Sequence, residues 1–102
     1  MGSYKWAMVH KLNKPDIRSI LTNFGFEMEE GDEDYYSAEI NSWNPLKAEL
    51  TKDSEIEFTF HWMGDSTTEI YYDYLIQAGT LIGQLMAAIQ NVTDQHKQKA
   101  KS

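Results

Sequence analysis

Apolar residues recur at steps of three or four along the last third of the chain, and this spacing predicts one helix from Ser66 to about Gln95. Ile70, Tyr74, Ala78, Leu81, Leu85, Ile89 and Val92 form the stripe, broadened by Tyr71, Leu75, Ile82 and Met86. Ser66-Thr67-Thr68-Glu69 has the spacing of a capping box, in which the hydroxyl and the carboxylate each satisfy a backbone N–H left unpaired in the first turn. No proline interrupts the pattern. A helix of that extent is about 43 Å long, whereas the longest strand pattern upstream, of about nine residues, spans about 30 Å. The excess length points to a partner.

Upstream the period switches to two. Tyr4 to Leu12 alternates, with Trp6, Met8, His10 and Leu12 on one side and Lys5, Ala7, Val9 and Lys11 on the other, so a first strand is expected there. Asn13 or Lys14 then leads into Pro15, which suits the start of a helix because its missing N–H would be unbonded there anyway. Ile17, Ile20, Leu21 and Phe24 continue at helical spacing until Gly25 supplies a left-handed stop. Phe26 and Met28 open a short strand before an acidic loop at Gly31. Tyr36, Ala38 and Ile40 form the inward set of the next strand, which Asn44-Pro45 ends. Leu46, Ala48 and Leu50 follow, then a connection at Lys52-Asp53-Ser54, and then Ile56, Phe58, Phe60 and Trp62.

Strands joined by short turns, each with one polar face, imply an antiparallel sheet covered on one side. The expected fold is therefore α+β and two-layered: an antiparallel sheet of four to five strands, covered on one face by a short helix in the N-terminal half and a long C-terminal helix, in the order β-α-β-β-β-α. The core is expected to hold Trp6 or Val9, Ile17, Ile20, Leu21, Phe24, the inward strand sets and the stripe of the last helix. The 102 residues make one domain, with 1–3 and about 96–102 as flexible ends.

Composition narrows the function more than it defines it. The net charge is −7 and Arg18 is the only arginine, which argues against nucleic-acid binding, since that needs clustered basic residues to displace counterions. With no cysteine there is no disulfide, thiolate metal site or thiol nucleophile. That usage fits a cytoplasmic protein, as does the lack of a signal-peptide pattern near Met1, and no run approaches the ~18 apolar residues of a membrane span. Glu55, Glu57 and His61 share the outer side of one strand, but neighbours two residues apart stand ~6.6 Å from each other, too far to close a metal site without help. Glu29-Glu30-Gly31-Asp32 lacks the register of a calcium loop. No catalytic triad, nucleophile elbow or phosphate loop is present, so neither enzymatic activity nor a cofactor is expected.

What remains is surface. Gly79 and Gly83 stand four apart on the long helix, where each costs about 1 kcal/mol relative to Ala, so close packing against the sheet or against a second subunit is expected in return. Of Tyr71, Tyr72 and Tyr74, which surround one turn, Tyr72 is expected to point outward, and Tyr35 and Trp43 fall at exposed positions. The carboxylates Glu29, Glu30, Asp32, Glu33 and Asp34 form a second candidate surface. Three functions follow as expectations. The first is a non-enzymatic interaction domain, most simply a homodimer built on the long helix or an edge strand. The second is an acidic inhibitor, immunity or chaperone-like protein for a basic partner. The third is a small-ligand domain with an aromatic pocket between sheet and helix around Trp6, Trp62 and Tyr74.

Overall fold

A computed structural model describes the backbone at residues 2–40, 45–52, 54–62 and 68–101, and the side chains at 4–40, 45–52, 54–60 and 72–99. The expectations for Ser66 and Thr67, for Trp43, and for the side chains of Trp62, Glu69, Ile70 and Tyr71 fall outside that set. Seven elements follow in the order β1 (Gly2–Val9), α1 (Lys14–Asn23), β2 (Glu27–Glu29), β3 (Asp32–Glu39), β4 (Pro45–Lys52), β5 (Glu55–Trp62) and α2 (Thr68–Lys101). The class is α+β, with one strand more after α1 than the expected order because the short strand at Met28 pairs with β3. All neighbours in the sheet are antiparallel, in the spatial order β1-β5-β4-β3-β2.

Alternation sets the inner face. Trp6, Phe58, Ala48, Tyr36 and Met28 are successive partners across all five strands, with Tyr4, Phe60, Leu46 and Ala38 in the next row. The middle of the first row is buried, while its ends, Trp6 and Met28, lie partly open. This corrects the expected core. Neither Trp6, 37% exposed, nor Val9, 75% exposed, closes it; Met8 does, together with His10 and Leu12 from the connection after β1. Trp6 still shares the inner face, stacked on Phe58 with ring centres 6.0 Å apart. Phe60 is also less enclosed than expected, held between Tyr4 and the edge-on ring of Tyr74.

α1 starts where Asn13 caps it, its side chain accepting from the Asp16 N–H at 2.9 Å, and ends at Gly25 with φ of 89°. Ile17, Ile20 and Leu21 enter the core. α2 contributes Tyr74, Ala78, Ile82, Leu85 and Ile89, and the Tyr74 hydroxyl donates to the Pro45 carbonyl at 2.9 Å, tying the helix to the start of β4. Pro45, expected in a turn, is the first residue of that strand. α2 has 34 residues, hence about 51 Å of length, against about 27 Å for an eight-residue strand. Its last turns are exposed from Asp94 to Lys99, with His96 reaching Asp16 on α1 at 3.6 Å.

Candidate interaction surfaces

The two ends of the sheet differ in kind. β1 is an edge of eight residues in unbroken register with β5. β2 is an edge of three residues, two of them glutamates, with its register shifted between Met28 and Glu29. Short, charged and bulged edges resist further pairing, whereas a long regular one invites it.

The carboxylates do not form the loop expected of them. Glu30 and Gly31 are a two-residue turn between β2 and β3, with Gly31 at φ of 81°, and Asp32, Glu33 and Asp34 begin β3. Acidic residues are poor strand formers, which is why their density reads as a loop; here cations on neighbouring elements offset the cost. Arg18 on α1 donates to Asp34 at 3.1 Å and to the Glu33 carbonyl at 3.2 Å, and Lys14 reaches Asp34 at 3.3 Å. The Arg18 guanidinium, with help from Lys14, holds the Asp34 carboxyl below the usual carboxylate range. Lys47 on β4 reaches Glu29 at 3.5 Å while lying 5.6 Å over the Tyr35 ring, so Tyr35 is half-covered on the outer sheet face. Of the five carboxylates, Glu30 and Asp32 carry no ion pair among the described residues.

α2 carries a second apolar line. Tyr72, Ile76, Gly79, Gly83 and Met86 follow at steps of four, three, four and three, the spacing of a seam between two helices. All five are exposed, Ile76 by 68%. A Cβ built on Gly79 or Gly83 would meet nothing within 4 Å. The glycines therefore do not serve close packing of α2 on its own sheet. Met86 shares a depression with Met8 and Val9, which puts this end of the seam on the β1 side of the helix, and Tyr4 and Trp6 are exposed on that same strand. Among the described residues, six of the seven exposed large apolar side chains lie on β1 or α2. Sequence reasoning named Tyr72, Gly79 and Gly83 but missed Ile76 and Met86 as their companions; the heptad step that joins them is the signal.

The acidic hairpin and the α2 seam are thus separate, at opposite ends of the sheet order. Of the described members of the expected aromatic pocket, Tyr74 is fully buried with its hydroxyl bonded, and Trp6 is 37% exposed and lies on Phe58. Among the described residues no group of three or more His, Asp or Glu side chains is arranged to hold a metal ion, and no helix is long and apolar enough to cross a membrane. No family model, curated protein or solved structure matches the chain.

Proposed function

We propose that this is a non-enzymatic interaction domain that self-associates through the second seam of α2. The open space beside Gly79 and Gly83 carries the reading. Each glycine costs the helix about 1 kcal/mol relative to Ala and gains nothing within the monomer. Backbone access for another helix is the compensation such positions offer, because small residues let helices approach closely, within the 8–10 Å range of helix packing.

A second copy of the chain suits the seam better than a foreign helix. Laid antiparallel about a two-fold axis at the level of Leu81, the seam matches itself: Gly79 faces the second copy's Gly83, and Ile76 faces its Met86. Small meets small and large meets large, as an isologous contact requires. The neighbouring helix would also cover Tyr4 and Trp6, which α2 of the same chain leaves open. Pairing of two β1 edges is the other route, but it leaves the glycines unexplained. The charge-based reading, an acidic inhibitor, is weakened by the internal ion pairs of Glu29, Glu33 and Asp34.

Light scattering after gel filtration, over a tenfold range of concentration, tests the proposal. A dimer is expected for the native chain and a monomer for Ile76→Lys. Gly83→Leu is the sharper variant, since its side chain enters open space in the monomer: it should keep or raise the unfolding midpoint measured as monomer while splitting the dimer. A native chain that is monomeric throughout, or a dimer indifferent to both changes, would overturn the reading.

A further inference from the structure

Where β1 gives way to α1, the chain and the C-terminal half of α2 enclose a depression of about 220 Å³. Its apolar wall is Met8, Met86 and Ile89; its polar side is His10, Lys11 and Lys97. In a chain with 16 acidic and 9 basic residues, no carboxylate lines it. His10 is only 6% exposed, yet its ring is not fully satisfied. Nδ1 accepts the Leu12 N–H at 3.1 Å, and the His10 N–H donates to the Ser54 carbonyl at 2.9 Å, so the residue is held from both sides. An accepting Nδ1 puts the imidazole proton on Nε2. That N–H has no acceptor among the described residues, and because no side-chain polar atom is both sealed off and unbonded, it is accessible from outside; His10 lines this depression and also a neighbouring one with Leu12, Asn13, Lys14 and Ser54.

An imidazole N–H donor and two lysines lining one cleft with three apolar side chains and no carboxylate are complementary to one negative oxygen pair on a short hydrocarbon body. We propose that this cleft binds a small monocarboxylate, with the carboxylate accepting from His10 Nε2 between Lys11 and Lys97 and the body lying on Met8, Met86 and Ile89. The volume is below the ~300 Å³ at which pockets for drug-sized ligands begin, which limits the body to a short chain. Phosphate and sulfate fit less well, because their usual cradle is an arginine fork, and no arginine lines the cleft.

Hexanoate is the probe, titrated into the full chain at pH 7.5 and followed by the methyl resonances of Met8 and Met86 and the imidazole resonances of His10. Saturable shifts at all three residues are expected, with affinity at least about tenfold weaker in Lys97→Met, an exposed position whose loss removes one charged hydrogen-bond donor. Repeating the titration in Ile76→Lys separates binding in the cleft from any change in self-association. Hexanol binding as well as hexanoate would reduce the cleft to an apolar crevice and overturn the proposal. Sulfate displacing hexanoate at equal concentration would overturn the carboxylate class. Absence of saturable shifts at millimolar hexanoate, or shifts untouched by Lys97→Met, would overturn the site itself.

Discussion

Glu49 on β4 stands directly opposite Glu57 on β5, both on the uncovered face of the sheet. Lys5 reaches Glu57 from β1 at 3.5 Å, while Glu49 has no cation paired with it among the described residues. Like charges directly across a ladder oppose pairing, by about 0.2–1 kcal/mol. Glu49→Lys should therefore raise the thermal midpoint, and the gain should shrink in high salt because these groups are solvated. A midpoint that falls would show that Glu49 has a favourable role its neighbours do not reveal.

Tyr74 lies fully buried where the first turns of α2 meet the start of β4. Tyr74→Phe keeps the ring and removes the hydroxyl that donates to the Pro45 carbonyl, so it should cost about 1 kcal/mol. Phe58→Ala, in the middle of the sheet, removes a fully buried ring and should cost about 3–5 kcal/mol. Urea unfolding of the two variants checks the contrast, and similar losses would contradict it.

Asp34 ties the β2–β3 hairpin to α1 through Arg18 and Lys14. Because it is partly exposed, Asp34→Asn should cost no more than about 1 kcal/mol at neutral pH. The sign with pH is set by the lowered carboxyl: its contribution is present above the ordinary value near 3.8 and is lost as pH falls through the folded-state value. The variant should consequently resemble the native chain in acid and trail it at pH 7, as urea midpoints at both would record.

Burial holds the His10 imidazole below its ordinary value of 6.5. The unfolded chain then takes up a proton before the folded one does, so this contribution is full above about 6.5 and diminishes as pH falls toward the folded-state value. Native stability should drop between pH 7.5 and 5.5. His10→Gln should start lower at pH 7.5 and lose less over the same interval; an equal slope would remove His10 as the cause.

The fold was legible where a period ran unbroken over many residues. α1 with its Gly25 stop, the described inward residues of β3, β4 and β5, and Tyr74, Ala78, Ile82, Leu85 and Ile89 of the α2 stripe follow from spacing that burial then enforces. Reading failed at the sheet's ends. Trp6 or Val9 looks like a core residue because alternation shows which face a side chain takes but not whether anything covers that face. The acidic hairpin was hidden for the opposite reason: Arg18, Lys14 and Lys47, which make strand geometry tolerable for Glu29 and Asp34, come from elements distant in sequence. The glycines were noticed, but only the geometry could say that the space beside them is open.

The first strand of the chain pairs with the last one made, β1 against β5. During synthesis β1 must wait, undocked, until every other strand has formed, and this long closure is the kind of contact that slows folding. Until it arrives, β5 rather than β1 is the outermost strand, offering Ile56, Phe58 and Phe60 along an open border. Any copy's β1 satisfies that border equally well. At high concentration the last step of folding is thus a competition between a chain's own first strand and its neighbour's, and a truncation that removes residues 2–9 would leave the border permanently open.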